Sequence, residues 1–463
     1  MSYSYDFLSK CKKLHFVGIG GISMSTLAVL AADNGCAVTG SDRSESEAVK
    51  RLVSKGIKVT VGHFAENVAG ADAVVYTAAL DSSNPELAAA EKQGIPLVSR
   101  GEYLGYLMSV YKNRIGVSGT HGKTTTTSMI SHIFIDAGLD PTVANGAILP
   151  EIGGAYREGS LDSFVYEACE YKDSFLSFCP TDAVITNIEL DHTDYFRSIE
   201  HIIESFSKAV SPARRVFVNK DNANALKALE NYRGETVTVS LKDEGADFYA
   251  ADVKYEHGLA NYTLCRKGER LCEVSLQLIG EFNVYNSLCA AAVATVFGVS
   301  PETISSSLKT FTGAARRFER KGSIGDVAVY DDYAHHPSEC RSTLDAVAKL
   351  GYDNVYCVFQ PHTYSRTHDL LADFENTFSA AQKRGINMIF AEIYAARETD
   401  TMGVSSELLA SDIDALSFDS FEKIAEYLVK TVKSGDLVLT MGAGDVYKIG
   451  ELLMKKLSEK TIN

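Results

Sequence analysis

RIGVSGTHGKTTTT, running from Arg114 to Thr127, is the stretch on which the reading of this chain turns. Arg114 to Val117 reads as a strand, GTHGKTT (Gly119 to Thr125) as a phosphate-binding turn, and the segment after it, through about Ala137, as a helix. In that context each residue type has a task. Glycines let backbone amides approach phosphate oxygens, Lys123 neutralises charge on the β and γ groups, and the Thr124 hydroxyl can face a magnesium ion. Gly119, Thr120, His121, Gly122, Lys123, Thr124 and Thr125 are therefore the candidate nucleotide-binding residues. The spacing departs from GxxxxGK[ST], because Val117 stands where the first glycine would be.

Upstream, Leu14 to Val17 runs into Gly18, Gly20 and Gly21, and a helical pattern from Met24 to Ala32 stops at Asn34-Gly35. Further short strands at Ala37–Thr39, Ala73–Tyr76 and Leu97–Ser99 alternate with helices, as in a Rossmann-like domain. Downstream, strands are expected at Phe164–Ala168, Ala183–Thr186 and Val216–Asn219, followed by hairpins between Asp247 and Leu278 and a helix from Asn283 to Val296. From near Ala315 the strand-then-helix order resumes with Val327–Asp331, Val355–Phe359, Ile386–Phe390 and Leu437–Thr440. A chain of 463 residues is expected to form roughly three domains. The fold class is α/β with three domains: 1–112 Rossmann-like, 113–314 a central phosphate-loop domain with a mixed sheet, and 315–463 Rossmann-like. Hinges are expected near Arg114 and at Gly313 to Arg317.

A formal charge of −15 excludes broad binding to nucleic acid or an anionic membrane surface. No run approaches eighteen apolar residues and the N-terminus lacks a signal-peptide pattern, so no membrane insertion is expected. Nine scattered cysteines without a CxxC pair fit reduced thiols and a cytoplasmic location.

Three further motifs carry charge at strand ends. EACE places Glu167 and Glu170 at the end of the strand Phe164–Ala168, and TNIELDHTD places Asn187, Glu189, Asp191, His192 and Asp194 after Ala183–Thr186. Singly, such residues are most often solvated loops or helix caps, but the strand ends of one parallel sheet converge on one edge. The third is DDYAHHPSE (Asp331 to Glu339), joined by QPHTYSRT at Gln360–Thr367 and EIYAARE at Glu392–Glu398. Adjacent His335 and His336 suit structural or substrate contacts better than one shared metal ion, whereas Arg366 and Arg397 suit a carboxylate or phosphate. GIGGIS with Asp42 resembles a dinucleotide loop and leaves an NAD-dependent oxidoreductase open as another class of reading, although the same exposed amides can bind the diphosphate of a UDP-sugar.

Together, in this order and over nearly the whole chain, HFVGIGGISMS, GTHGKTTT, EACE, TNIELDH, GEFNVYNSLCAAA, GAARRFE and DDYAHHPSE resemble the Mur ligase family. The resemblance implies an ATP-dependent ligase that joins L-alanine to the lactyl carboxylate of UDP-N-acetylmuramate through an acyl phosphate, with ATP and Mg2+ required. Attachment of a recycled tripeptide to the same UDP-sugar is the alternative within the family. By the resemblance, Gly18, Gly20, Gly21, Ser23, Met24, Ser25, Asp42 and Thr77 would bind the UDP-sugar. Lys123, Glu170 and His192 would be catalytic, with Thr124, Glu170 and His192 holding metal. Asn283, Arg316, Arg317 and Asp332 would join the phosphate loop around ATP, and His335, His336, Arg366 and Arg397 would close over the acceptor. Ser23, Phe282 and Cys169 depart from the family's commoner residues at their positions.

Overall fold

The computed structural model describes residues 7–462 except 78, 79, 81, 82, 193, 194, 257, 397 and 400. Three sheets follow one another along the chain. The first contains β1 (Lys13–Val17), β2 (Ala37–Asp42), β3 (Lys58–Val61), β4 (Ala73–Tyr76) and β5 (Leu97–Ser99), all parallel in the order β3-β2-β1-β4-β5. Their short apolar runs are what a strand covered on both faces requires. Val17 pairs with Ser41 and Tyr76, so the glycine turn after β1, Asp42 and Thr77 leave the sheet along one edge.

The second sheet has ten strands: β6 (Asn113–Ser118), β7 (Thr142–Leu149), β8 (Gly154–Arg157), β9 (Ser163–Glu167), β10 (Asp182–Ile185), β11 (Arg215–Asn219), β12 (Glu235–Ser240), β13 (Phe248–Glu256), β14 (Leu259–Arg266) and β15 (Glu269–Ile279). Their order is β15-β14-β13-β12-β11-β10-β6-β9-β7-β8. The hairpins expected between Asp247 and Leu278 are the antiparallel strands β13–β15; β7 and β8 form a second antiparallel pair. Between them β6, β9, β10 and β11 are parallel, and their register is decisive for the site. Val117 lies beside Glu167 and Ser118 beside Ile185, so the loops after β6, β9, β10 and β11 emerge side by side.

The third sheet holds β16 (Glu319–Ile324), β17 (Val327–Asp332), β18 (Val355–Phe359), β19 (Ile386–Ala391), β20 (Leu416–Phe418) and β21 (Leu437–Met441), ordered β16-β17-β21-β18-β19-β20. Only the edge strand β16 is antiparallel. Asp332 and Phe359 both pair with Met441, which brings the DDYAHHPSE and QPHTYSRT segments to the same edge.

Packing ties these units together. One apolar core runs from Leu14, Phe16 and Tyr103 of the first unit into Phe164, Phe175 and Phe206 of the second. The expected joint at Arg114 is thus not a bare link: Arg114 sits inside β6, with its side chain donating to the Cys179 and Tyr111 carbonyls. The connection to the third unit carries positive φ at Gly313, Arg316 and Phe318.

The helix Glu281–Val296 is buried on every side, packed on the helix Lys123–Asp136 and on β11–β14. Its small residues, among them Ala290, Ala291, Ala292 and Ala294 with no exposed surface, set how closely it approaches. Replacing Ala291 with Leu is expected to cost about 1–3 kcal/mol through overpacking, read as a lowered unfolding midpoint in denaturant. An unchanged midpoint would mean the helix has room that the packing denies.

Candidate functional site

The phosphate loop leaves β6 at Ser118 and enters its helix at Lys123. Two glycines make that path possible. Gly119 has φ +141° and a Cβ there would strike the Thr186 hydroxyl; Gly122 has φ +84° and a Cβ would strike the Asn286 side-chain oxygen. Neighbouring strand ends brace the turn, with Asn187 Oδ1 accepting from the His121 amide at 2.9 Å and the Glu189 amide donating to Thr120 Oγ1 at 2.8 Å.

Lys123 curls over this loop. Its Nζ donates to the carbonyls of Gly119 (2.6 Å) and Thr120 (3.0 Å) and to Glu170 Oε1 (2.9 Å). Burial opposes charge on the lysine, but the Glu170 carboxylate outweighs it and holds the ammonium above its ordinary range. Glu170 has no exposed surface. Burial works against its charge too, and Lys123 with His192 reverses that, leaving the carboxyl below its usual range. Its second oxygen, Oε2, is buried without a hydrogen-bond partner among the described residues. His192, at φ +53°, brings Nε2 to 3.7 Å from Glu170 Oε1 and lies against the Tyr171 ring, 4.7 Å between centroids. The Thr124 hydroxyl donates to Glu167 Oε2 at 2.7 Å. The orphaned Glu170 oxygen, with the Thr124 hydroxyl and the His192 imidazole on adjoining loops, offers donors that fit magnesium with the remaining positions left to water and phosphate.

The third unit reaches into this edge. Arg317 Nη2 donates to Thr124 Oγ1 at 3.2 Å, and Arg366 Nη2 lies 3.4 Å from Asp191 Oδ1. His121 lies 2.9 Å from Glu339 through Nδ1, and its Nε2 is 2.9 Å from the Ser338 hydroxyl and 3.4 Å from Glu189. Burial disfavours the His121 cation, yet the two carboxylates prevail and push its pKa up to about 10. Burial raises Asp332 to about 7 even though it accepts from the Ala334 and Phe318 amides.

A cavity of about 280 Å3 lies between the second and third units. His121, Gly122, Thr125, Asn283, Arg317 and Asp332 line it. Sequence reasoning missed Asn219, Asp221, Lys242, Tyr285 and Phe318, which line it as well. The signal for two of them lay in the chain: Asn219 ends β11, and the Asn219-Lys220-Asp221 run is a polar strand end of the same kind as those after β9 and β10.

Other expected residues separate. Arg316 stays within the third unit, paired with Asp331 at 2.9 Å and donating to the Gly442 and Gly444 carbonyls. His335 turns toward the Tyr333 carbonyl and the His362 ring, and burial lowers its pKa to about 3. Asn283 spends its amide on the Ile279 carbonyl and its oxygen on Asn286 while facing the cavity. In the first unit, the Gly20 amide donates to Asp42 at 2.9 Å, Thr77 packs against Gly18, and Ser23 accepts from Arg100 at 3.2 Å. Gly21 precedes the helix as its cap, Ser25 donates its amide to the Gly21 carbonyl, and Met24 is turned into the core. Arg397 and Asp194 lie outside the described residues.

A phosphate loop built on parallel strand ends, with carboxylates from two neighbouring strands and arginines from a following α/β unit, defines an enzyme that works on a phosphorylated nucleotide under a closing domain. The chain belongs to the Mur ligase family: sequence profiles described as "Mur ligase family, catalytic domain", "Mur ligase middle domain" and "Mur ligase, glutamate ligase domain" match residues 13–112, 117–294 and 316–444. It is 45% identical over 456 residues to the UDP-N-acetylmuramate–L-alanine ligase of Acetivibrio thermocellus, covering 96% of each chain. It is 42% identical to the enzyme of that name from Clostridium tetani, covering 98% of this chain and 100% of that one. The crystal structure of the UDP-N-acetylmuramate-alanine ligase of Thermotoga maritima superposes with a TM-score of 0.82 at 26% identity, over 97% of this chain and 99% of that one. A murein peptide ligase from Psychrobacter arcticus shares the fold, with a TM-score of 0.70 at 23% identity over 96% and 98% of the two chains.

The buried charges make the site sensitive to substitution and to pH. Glu170→Gln leaves the Lys123 ammonium buried without its counter-charge and is expected to cost about 3–5 kcal/mol, measured by equilibrium unfolding. His121 keeps its proton to about pH 10 in the fold against an ordinary value of 6.5. The stability it adds is therefore complete below pH 6.5 and is lost as pH rises toward 10. A His121→Gln variant should show a flatter thermal midpoint between those values; equal slopes in both proteins would refute the assignment.

Proposed function

We propose that this protein joins L-alanine to the lactyl carboxylate of UDP-N-acetylmuramate, converting ATP to ADP and phosphate, as a step in making the peptidoglycan precursor. The observation that carries the reading is the phosphate loop with Lys123 and Glu170, closed by Arg317 of the third unit, in a chain matched end to end by relatives of that name. The first unit, residues 1–112, would hold the UDP-sugar at the loop from Gly18 to Ser25. Residues 113–314 would hold ATP, and 315–463 would bring the amino acid and close over both.

A carboxylate and an ammonium form a salt, not an amide, so the acid must first gain a leaving group. The lactyl carboxylate attacks the γ-phosphorus in line, breaking its bond to the β–γ bridging oxygen and giving an acyl phosphate and ADP. Loop amides and Lys123 position the phosphates and absorb charge as it shifts. The neutral amine of L-alanine then attacks the acyl carbon, and phosphate departs with the former carboxylate oxygen. Thr124, Glu170 and His192 would hold magnesium, which would supply further charge neutralisation at the phosphates. Arg317 and Arg366 bring cationic groups over the loop and over Asp191, and their approach expels the water that would hydrolyse the acyl phosphate.

No described helix is long and apolar enough to cross a membrane, and the nine cysteines are free thiols. Both support placing the reaction in the cytoplasm, beside its nucleotide substrates.

The test is ADP release with UDP-N-acetylmuramate, ATP and Mg2+, with L-alanine, with tripeptide or with no acceptor, following product mass. Addition of one alanyl residue is expected. Turnover with tripeptide alone would move the enzyme to peptide recycling, and indifference to the acceptor would refute a ligase.

A further inference from the structure

The two adjacent histidines of DDYAHHPSE part company in the fold, and His336 alone turns toward the phosphate loop. There His121, Glu189 and His336 each bring one ligand atom within 4.8 Å of the others. Three segments meet at this point: the loop after β6, the loop after β10 and the cap of the helix Pro337–Val347. The imidazoles are held in a telling way. His121 has its Nδ1 on Glu339 at 2.9 Å, and His336 has its Nδ1 on the Ser338 hydroxyl at 2.8 Å. Glu339 thus fixes His121 from behind, while the Ser338 hydroxyl, also 2.9 Å from His121 Nε2, stands between the two rings. A carboxylate behind a ligating histidine is the usual outer support of a metal site, since it sets the tautomer and raises the basicity of the ligand. The His336 side is the more telling. The residue is 8% exposed, and its Nε2 is buried without a hydrogen-bond partner among the described residues. Leaving such an atom unpaired costs about 1–3 kcal/mol.

We propose that His121, Glu189 and His336 form a binding site for a divalent transition metal, best matched by Zn2+, that bridges the phosphate loop and the third unit. Two imidazole nitrogens and one carboxylate oxygen are a zinc donor set with the fourth position open, whereas magnesium takes mostly oxygen ligands and keeps several waters. This set is separate from Thr124, Glu170 and His192. Ligand atoms around a tetrahedral zinc stand about 3.3 Å apart, so the side chains close in by small rotations. The Ser338 hydroxyl keeps its contact with His336 and yields the one it makes with His121 Nε2. The same Glu189 and Glu339 carboxylates that favour a proton on His121 favour a dication in its place. Because the ligands come from both sides of the cavity, the bound ion fastens the third unit onto the loop and slows turnover that requires opening.

Co2+ is the probe, added without nucleotide to the full chain after chelator treatment. The expected result is a single Co2+ with the visible absorption of four-coordinate nitrogen–oxygen ligation, displaced by Zn2+. His336→Gln should weaken binding more than about 100-fold, beyond what loss of an outer support costs, and Glu339→Gln by about 10-fold. Glu189→Gln, at a half-exposed side chain, should weaken it as well. His192→Gln should keep the spectrum. Absence of that absorption, its survival in both His336→Gln and Glu189→Gln, or its loss in His192→Gln alone would overturn the site. Reversal of Zn2+ inhibition by chelator in wild type, with Glu189→Gln resistant, is expected for the bridging role.

Discussion

A lysine ammonium and a glutamate carboxylate, both withdrawn from water at the head of the phosphate loop, set the terms for the rest of the molecule. Neither charge is tolerable there alone, since the desolvation of one buried ion amounts to several kcal/mol. Lys123 and Glu170 come from different strand connections, after β6 and after β9, so their pairing requires those strands to be parallel neighbours in the observed register. That register in turn puts the loops after β10 and β11 on the same edge. The pairing leaves capacity unused: one Glu170 oxygen has no hydrogen-bond partner among the described residues. A site organised around a satisfied cation and a half-satisfied carboxylate is ready to take more positive charge and to surround phosphate with it.

Closure uses contacts of another kind. Arg317 on Thr124, Arg366 on Asp191 and His121 against Glu339 and Ser338 link the second and third units through individual polar contacts. His121–Glu339 and Arg366–Asp191 are largely withdrawn from water, so opening of the closed arrangement to release product must rehydrate them. Apolar packing joins both neighbours to the second unit as well, the first through Leu14, Phe16 and Phe164 and the third through Ile279 with Phe318 and Leu344.

The central framework is legible in the chain because its strands are short apolar runs between turn signals. Ala73–Tyr76, Leu97–Ser99 and Val355–Phe359 fall where the apolar pattern puts them, and β6, β9, β10 and β11 agree to within a residue or two. The strands that escape that pattern are mostly polar or lie at sheet edges. Lys58–Val61, Leu416–Phe418 and Glu319–Ile324 each end a sheet, where one side needs no apolar cover. In the site, the contiguous GTHGKTT carries its own context. Arg316 and Arg317, or His335 and His336, cannot be told apart in that way. Which arginine faces the cavity and which histidine turns toward the phosphate loop depend on the backbone turn at Arg316 and on how the third unit approaches, and neither is written in a local pattern. Asn219 and Asp221 belong to the site only because β11 is parallel to β10.

In the proposed reaction, amide formation depends on activation of the carboxylate by the γ-phosphate, in the cleft between loop and closing unit. The most direct measurement starts from UDP-N-acetylmuramate labelled with 18O in its lactyl carboxylate and follows the label by mass spectrometry of the released phosphate. Acyl-phosphate chemistry predicts that one carboxylate oxygen appears in phosphate with each amide formed, and that ADP is the nucleotide product. Unlabelled phosphate, or label carried into AMP, would contradict it.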